Sequence, residues 1–467
     1  MSKKTDVKAI KGALEYGAKW LAFQHELNPY VGAQVAARVD GKLIFNQAFG
    51  YADLDARTPM TTDHLFRIAS HSKTFTGVAV MQLVQKKMLR LDDTIGQHIP
   101  ELAKSDIADV TVRQLLSHTG GIIRDGDDAD WWELGKPFPN RKELLALAKN
   151  LGKVLDPQVE FKYSNIGFSL LGVIIEVVAG ESYRSYVTTN IVDQLGLKST
   201  GPDMDFEREA EFAPGHSSRV HGGKRVQIDH IDTFEESAAT GFYSTAAELT
   251  DYFQAHIPGD DRLISDASKR AMQQKIGEAE DRGHYGLGLV IDEINGRPYI
   301  GHSGGYPGHI TMSKVDRDRK LSLSVLTNSN DGPASLLATG LLKMIDLALT
   351  EEAKTEPGSP KNLKKFEGRF ATLWGVTDIV ALGGRLYALS PSLDDPASMA
   401  IELEVTGDST LKRVGGSKYG ARGEELVFHF DKKGRVQQIT GGHTMVPIDK
   451  FELPDRVKRP KRKSGRG

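Results

Sequence analysis

The sequence predicts an α+β protein with two folded parts. The first is an antiparallel sheet built from both ends of residues 1–354, with a helical insertion, and the second is a small all-β barrel. Strand patterns stand near the start of the chain and return at Tyr285, and the stretch between 66 and about 255 is mainly helical. Beyond residue 361 only short strands follow. Strands that flank a block of helices are typical of an α+β domain, and many short strands without a helix are typical of a barrel.

The chain opens with a helix and a hairpin. Apolar residues recur at spacings of three and four over Val7–Glu26, which predicts a helix. Alternating runs at 33–39 and 42–49 are joined by Asp40-Gly41, a pair that a type I′ turn prefers. The next strong pattern, Thr74–Lys87, is apolar on most faces and therefore predicts a central, buried helix.

Helices and then strands complete the first part. The later helices are predicted at 112–117, 141–150, 165–179 and 336–349, and the later strands at 285–294, 299–300, 309–315 and 321–327. Gly120-Gly121 ends the first of these helices, and Asn295-Gly296 marks a second hairpin turn. A loop-rich stretch is predicted from 200 to about 237.

The C-terminal part begins after a predicted linker at 355–361, which contains Pro, Gly and Ser. Its strands are predicted at 376–382, 385–389, 401–405, 411–414, 426–430 and 436–440. The predicted domains are therefore 1–354, a barrel at 361–455 and a basic tail at 456–467, which has seven Lys or Arg and no acid. We expect the tail to be solvated and disordered, with RNA or an anionic membrane as the alternative partner.

Composition excludes several classes of function. The 467 residues are 39% apolar and 26% charged, as in a soluble globular protein, and the net charge of −2 argues against nucleic acid as a partner. The chain has no cysteine, which excludes disulfides, thiol catalysis and cysteine-bound metals, and its 14 histidines form no HExxH pair. No apolar run reaches the roughly 20 residues that span a bilayer. We expect a cytoplasmic protein without a membrane segment.

Ser70 and Lys73 form a Ser-x-x-Lys pair at the start of the predicted buried helix. Positions i and i+3 share a helix face, so the amine lies beside the hydroxyl. A serine attacks only when a base takes its proton, and a lysine is that base only when burial lowers its pKa by roughly three units. A second pair, Ser409 and Lys412, lies on a predicted strand, where these positions face opposite sides, and is interpreted as a chance match.

Tyr163 and Asn165 stand two residues apart, just before a predicted helix. A phenol can shuttle a proton, and an amide can hold a substrate carbonyl. Taken alone, the pair is better explained by an exposed tyrosine and a helix cap.

A glycine-rich segment, Gly301–Gly305, follows the strand that is predicted to end at Ile300. Its glycines let a strand edge approach a ligand closely. The N–H group of Gly305 could therefore face an acyl oxygen together with the N–H group of Ser70. Taken alone, the segment is explained equally well as a turn.

Together these segments resemble the three motifs of the serine β-lactamase and penicillin-recognising superfamily: Ser70-x-x-Lys73, Tyr163-x-Asn165 and His302-x-Gly304. Order and spacing agree over about residues 8–350, and the match is closest to the class C-like esterase and D-aminopeptidase branch, similar to peptidase S12. The supporting segments are Leu89–Asp93, Leu115–Gly121 and Gly241–Ala246. The C-terminal part resembles the lipocalin-like domain of some such peptidases, with Phe366–Phe370 as its opening strand.

The resemblance implies a serine hydrolase that forms an acyl-enzyme on a small molecule or short peptide, without metal or cofactor. Ser70 is the implied nucleophile, and Lys73 and Tyr163 share the base and acid roles in a division that the sequence leaves open. The implied substrate-binding residues are Asn165, His302, Gly304 and Gly305.

The departures from the family pattern bear on the activity. True β-lactamases of this group carry Lys-Thr-Gly where this chain has His302-Ser303-Gly304, so efficient β-lactamase action is not expected. The leading hypothesis is a peptidase for short or D-residue-containing peptides. A carboxylesterase and a penicillin-binding-like sensor without turnover are the alternatives. The sequence leaves the oligomeric state open, including a homo-oligomer.

Overall fold

The structure, a computed structural model, describes residues 6–280, 283–350, 362–416 and 421–453. The chain divides into two compact units. Of the described residues, the first unit includes those within Asn28–Thr339, and the second combines Asp6–Leu27 with those from Gly340 onward. The predicted linker and basic tail lie outside the described residues, and the predicted domain boundaries stay predictions.

Helices and strands alternate in blocks along the described residues. The α-helices are α1 (Val7–Leu27), α2 (Ser72–Gln85), α3 (Ile95–His98), α4 (Val112–Leu116), α5 (Arg141–Leu151), α6 (Asn165–Ala179), α7 (Tyr183–Val187), α8 (Asp193–Leu195), α9 (Ala246–Gln254), α10 (Asp266–Met272) and α11 (Ala334–Ala348). The first-unit strands are β1 (Gly32–Val39), β2 (Lys42–Asp53), β3 (Thr58–Pro59), β4 (Phe66–Arg67), β5 (Gly215–His216), β6 (Gln227–Ile228), β7 (Tyr243–Ser244), β8 (Gly277–Glu278), β9 (His284–Tyr285), β10 (Val290–Ile294), β11 (Arg297–Tyr306), β12 (His309–Asp316) and β13 (Leu321–Thr327). The second-unit strands are β14 (Gly368–Thr372), β15 (Gly375–Leu382), β16 (Arg385–Leu389), β17 (Ile401–Val405), β18 (Thr410–Arg413), β19 (Glu425–Phe430), β20 (Val436–Thr440) and β21 (Val446–Pro447).

An antiparallel sheet of nine strands forms the first unit's framework, in the order β3-β2-β1-β13-β12-β11-β10-β9-β8. The early strand β1 lies between its hairpin partner β2 and the late strand β13, with Val35 opposite Val325. The helices α2 to α10 come between β3 and β8 in sequence. The predicted α+β class, with a sheet built from strands at both ends, is confirmed.

Two buried helices at the centre of the insertion position the candidate site. α2 is buried from Ser72 to Leu83 and packs against α6. The Ser164 hydroxyl caps α6 by accepting the N–H group of Gly167 at 2.8 Å, and Gly180, with φ of 74°, ends the helix. The two helices therefore bring Lys73 and Asn165 together from different parts of the chain.

Two predicted boundaries differ from the structure. Gly301–Gly305 lie inside β11 and not after it, because β12 pairs along this stretch, with Gly304 opposite Thr311. The run predicted as one strand at 285–294 is two short strands, β9 and β10, and Gly288 between them has φ of 81°. Glycine reaches that conformation without strain, so it permits the interruption.

No single helix in the described part of the chain is long and apolar enough to cross a bilayer. One bent pair, Asn165–Ala179 with Tyr183–Leu195 at 82°, passes by length and composition only. The residues of α6 from Asn165 to Ile175 are buried in the protein core.

The second unit contains a nearly closed barrel of eight strands, in the order β20-β19-β18-β17-β16-β15-β14-β21. Ile439 and Met445 exchange two backbone hydrogen bonds of 2.8 and 2.9 Å next to β20 and β21, which brings the ends of the sheet together. Its core includes Phe366, Phe370 and Phe428. The predicted all-β barrel is confirmed, and its likeness to lipocalins stays a prediction.

The N-terminal helix α1 belongs to the second unit. Its Tyr16 hydroxyl donates to the Asp378 carboxylate at 2.9 Å, and its Gln24 amide donates to the carbonyl of Pro391 at 2.6 Å. Gly17 lies close to Leu341 in α11, where a Cβ atom would lie 2.5 Å from the leucine side chain. The first helix of the chain therefore packs with residues that follow it by more than 300 positions.

Candidate active site

Ser70 lies in a short 3-10 turn, Ala69–His71, directly before α2. Ala69 has φ of 48°, a left-handed conformation that costs an alanine roughly 1–2 kcal/mol. The Ser72 hydroxyl fixes the turn by donating to the Ala69 carbonyl at 2.6 Å and accepting the N–H group of Phe242 at 2.9 Å. The predicted nucleophile is thus presented on a constrained turn, and Lys73 is in the first turn of the helix.

The Ser70 hydroxyl contacts both predicted proton carriers. Tyr163 donates its hydroxyl hydrogen to Ser70 Oγ at 2.8 Å, and Lys73 Nζ lies 3.3 Å from the same oxygen. Ser70, Lys73 and Tyr163 therefore meet at one point, although they come from three separate segments of the sequence.

Lys73 is fully buried, and burial lowers the pKa of its amine to about 7. Asp125 and Glu236 oppose this shift by attraction, and Arg124 adds to it by repulsion. Lys73 Nζ also donates to Asn165 Oδ1 at 2.7 Å and to the Ala239 carbonyl at 2.8 Å. A neutral amine has two N–H groups and one lone pair, so these two acceptors direct the lone pair to the Ser70 hydroxyl.

His118 binds the backbone on both sides of Tyr163. Its carbonyl accepts the N–H group of Lys162 at 2.8 Å, and its Nδ1 accepts that of Ser164 at 3.1 Å. The two bonds hold the backbone on both sides of Tyr163, and the imidazole lies 4.3 Å from the phenol ring. Burial lowers the pKa of His118 well below its usual value, so the ring stays neutral and can accept. It belongs to the segment Leu115–Gly121, which the sequence singled out without assigning it a role.

Asn165 is engaged at both ends of its side-chain amide. Its Oδ1 accepts from Lys73, and its Nδ2 donates to Asp125 Oδ1 at 2.6 Å. One of the two Nδ2 hydrogens is therefore used inside the protein. The predicted contact of Asn165 with a substrate carbonyl stays a prediction that depends on the other hydrogen.

The third motif, His302-x-Gly304, lies against the turn Ala69–His71 that carries Ser70, here called the nucleophile turn. A Cβ atom on Gly304 would lie 2.3 Å from the carbonyl oxygen of Ile68, two residues before Ser70. Gly305 next to it is exposed. This packing brings the backbone of β11 beside the turn that carries Ser70. The predicted close approach of these glycines to a ligand stays a prediction.

His302 is buried in the same strand, and both of its ring nitrogens are bonded within the protein. Nδ1 lies 2.6 Å from the carbonyl oxygen of Ser303, so it carries the proton, and Nε2 accepts the Tyr285 hydroxyl at 2.8 Å. Burial, followed by the neighbouring His71 and Lys73, lowers the pKa of His302 well below its usual value. A neutral, internally bonded imidazole is not a free cation for a substrate carboxylate. The predicted substrate contact of His302 stays a prediction.

Asp125 and Glu236 are acidic residues of the site that the sequence did not single out. Asp125 is bonded to Asn165, whereas Glu236 is completely buried and has no hydrogen-bond partner for either carboxylate oxygen among the described residues. Neither belongs to one of the three motifs, so only the folded structure reveals their position beside Lys73.

The chain is similar to known proteins in both sequence and fold. A sequence model of the family described as Beta-lactamase matches residues 23–343. The chain is similar to Penicillin-binding protein 4* of Bacillus subtilis (strain 168), with 28% identity over 368 residues, 74% of this chain and 77% of that protein. It resembles the octameric penicillin-binding protein homologue from Pyrococcus abyssi, with a TM-score of 0.63, 25% identity and coverage of 93% of this chain and 99% of that one. It also resembles the D-amino acid amidase from Ochrobactrum anthropi SV3 complexed with L-phenylalanine, with a TM-score of 0.57, 26% identity and coverage of 73% and 96%.

Proposed function

Because the chain belongs to the β-lactamase family of serine hydrolases, we propose that it hydrolyses amide bonds of small substrates through an acyl-enzyme on Ser70. The leading substrate class is short peptides or amides that contain a D-residue. The observation that carries the proposal is the contact of Ser70 Oγ with both the Tyr163 hydroxyl and the buried amine of Lys73.

Acylation starts from the neutral form of Lys73. Its lone pair takes the Ser70 proton while Oγ attacks the substrate carbonyl carbon, and the carbonyl oxygen becomes an oxyanion. The N–H groups of Ser70 and Gly305 are the proposed donors to that oxyanion. The proton then passes through the Tyr163 hydroxyl to the leaving nitrogen, the C–N bond breaks, and an ester to Ser70 remains.

Deacylation repeats these steps with water as the nucleophile. The same pair of residues takes a proton from water, the oxygen attacks the ester carbonyl, and the bond to Ser70 Oγ breaks. The proton returns to Ser70, and a carboxylic acid is released. In this proposal Lys73 and Tyr163 therefore act in both half-reactions by general acid–base catalysis.

Two observations favour an amide substrate over a β-lactam. The similar structure from Ochrobactrum anthropi is a D-amino acid amidase. The third motif also offers His302, a neutral ring bonded to Tyr285 and Ser303, in place of a lysine that could receive a carboxylate. A carboxylesterase remains the second candidate, since an ester follows the same steps with an easier leaving group. We also propose a homo-oligomer, because the similar protein from Pyrococcus abyssi is octameric.

The test uses four chromogenic substrates at pH 8, where the Lys73 amine is mainly neutral: a small p-nitrophenyl ester, the D- and L-alanyl p-nitroanilides and a cephalosporin. Ser70→Ala is the inactive variant. Ser409→Ala is the matched control, because Ser409 belongs to the second Ser-x-x-Lys spacing, on the barrel. We expect D-anilide turnover in the parent and in Ser409→Ala, and none in Ser70→Ala.

The other outcomes separate the alternatives. Turnover of the ester alone would favour the carboxylesterase. A covalent label on Ser70 that persists without turnover would favour a penicillin-binding-like sensor. Equal hydrolysis by Ser70→Ala and the parent would contradict the mechanism.

A further inference from the structure

We propose that Asp125 is a positioning residue for the lysine base: it fixes the side-chain amide of Asn165 so that Lys73 presents its lone pair to Ser70. This role rests on the proposed function. Asp125 acts through Asn165 and is not assigned a contact with the reacting atoms.

Two consecutive short hydrogen bonds connect Asp125 to Lys73 through Asn165. Asn165 Nδ2 donates to Asp125 Oδ1 at 2.6 Å, and Lys73 Nζ donates to Asn165 Oδ1 at 2.7 Å. A carboxylate only accepts hydrogen bonds, so Asp125 requires the NH₂ end of the amide on its side. The carbonyl end must then face Lys73.

The opposite orientation of the amide would disable the base. An Asn165 side chain turned by 180° would point its NH₂ group at Lys73. That group donates, and the only acceptor on a neutral amine is the lone pair that should receive the Ser70 proton. The turned amide would therefore either occupy the lone pair or favour a displaced amine, and in both cases Ser70 would lose its base.

Asp125 is itself held by two other donors. The Trp132 indole N–H donates to Oδ1 at 3.1 Å, and Arg124 Nε donates to Oδ2 at 2.9 Å. Trp132 packs edge-on against the buried ring of Phe138 at 5.1 Å, so this donor has a fixed position. Only 12% of the Asp125 side chain is exposed. The carboxylate therefore has one defined orientation toward Asn165.

Asp125 also acts on Lys73 through its charge, and the two effects can be separated. Asp125 favours the protonated form of the Lys73 amine and Arg124 disfavours it, whereas Glu236, whose pKa burial raises to about 8, favours that form only once it has ionised. The other titratable groups nearby are Tyr163, His118 and His302, and both histidines have pKa values well below the usual one. Removing only the charge of Asp125 should shift the pH profile to lower pH, whereas removing its acceptor oxygen should slow the chemical step.

The test compares Asp125→Asn with Asp125→Ala on whichever substrate the parent turns over, from pH 5 to 9. Asparagine keeps an acceptor oxygen for Asn165 and Trp132, while the exposed Arg124 side chain can move away from the new NH₂ group. We expect Asp125→Asn to retain kcat within about tenfold of the parent. Its acidic limb should lie below the parent's limb near pH 7.

For Asp125→Ala we expect kcat to fall about 100-fold with little change in KM, since the base loses its orientation. Asp128→Asn is the matched control: Asp128 lies on the same loop, is exposed and pairs with Lys136. Its kcat and pH profile should equal those of the parent. Thermal melting of each variant checks that the protein is folded.

Two results would overturn the proposal. One is a kcat for folded Asp125→Ala equal to that of the parent. The other is an equal loss of kcat in both Asp125 variants without any movement of the acidic limb. Failure of the proposed function is a separate result, because it would show as parent activity that survives in Ser70→Ala.

Discussion

Glu236 is a titratable residue beside Lys73 that the proposed reaction does not use. It is completely buried, and burial, followed by repulsion from Asp125, raises the pKa of its carboxyl to about 8, against a smaller opposite effect of Lys73. At neutral pH the group is therefore mainly protonated. A buried carboxylic acid without a hydrogen-bond partner destabilises the fold, and more so once it ionises.

Glu236→Gln should stabilise the protein increasingly as pH rises. The folded pKa, about 8, exceeds the ordinary value of 4.5, so the folded state holds a proton that the unfolded state loses between these values. Below about pH 4.5 this ionisation does not affect the free energy of unfolding. As pH rises from there through 8, the free energy of unfolding falls by on the order of 5 kcal/mol. Glutamine does not ionise, so the gain in melting temperature should be small at pH 5 and largest at pH 9.

The exposed Glu160 provides the matched control, and Glu160→Gln should show the same small difference at every pH. The measurement is the melting temperature of each variant and of the parent at pH 5, 7 and 9. A Glu236→Gln difference that stays constant across this range would mean that the carboxyl is not held in its protonated form.

The sequence predicted those residues of the site that local motifs mark. Ser70 and Lys73 are three positions apart, and Tyr163 and Asn165 are two apart, so a short pattern carries each pair. Asp125 is brought to Asn165 only by folding, over a separation of 40 residues. Burial that leaves a carboxyl unpartnered, as at Glu236, is likewise a property of the tertiary structure and has no local pattern.

Strand β11 packs closely against the nucleophile turn at Gly304. Gly304 has no space for a side chain, because a Cβ atom there would lie 2.3 Å from the Ile68 carbonyl oxygen and 2.5 Å from Thr311 Oγ1. At Gly305 the nearest atom to such a Cβ is Ile310 Cδ1, at 3.8 Å. Neighbouring glycines on one strand therefore meet opposite constraints.

We expect Gly304→Ala to lower kcat/KM about 100-fold, because displacing the strand by about 1 Å moves the proposed donor, the N–H group of Gly305, away from Ser70. Gly305→Ala keeps the backbone N–H group and makes only an ordinary contact, so small-ester turnover should stay within about tenfold of the parent. Steady-state kinetics of both variants, with circular dichroism as the folding check, provide the comparison. Equal activity of the two variants would contradict the close approach of β11 to the turn.

The same strand shows why element boundaries were harder to predict than elements. Glycine has a low preference for strands, and the sequence pattern therefore predicted that the strand ends at Ile300. In the structure, pairing with β12 continues to Tyr306, with Gly305 opposite Ile310. Hydrogen bonds to a neighbouring strand outweigh the local preference here, whereas α6, with strong local signals at both ends, has the predicted bounds.

The N-terminal helix α1 is an element whose partners the sequence did not identify. Its apolar pattern predicted the helix, but that pattern does not indicate which residues pack against the apolar face of the helix. In the structure, Trp20 is fully buried and donates its indole N–H to the Leu393 carbonyl at 3.2 Å. The ring of Phe23 receives the Arg369 guanidinium at 4.1 Å. These contacts join the first helix to residues of the second unit.

A chain that ends at residue 354, the predicted boundary, should therefore fold less well than one limited to 28–339. The longer fragment keeps α1 but removes the partners of Trp20, Phe23 and Gln24, and each large apolar side chain so exposed costs roughly 2 kcal/mol. We expect fragment 1–354 to bind a hydrophobic dye and to melt earlier than the full chain, and fragment 28–339 to bind less dye. Ester turnover by each fragment would show whether the Ser70 site is intact. If fragment 1–354 has the same melting temperature as the full chain and binds no dye, the stability of α1 does not depend on the barrel.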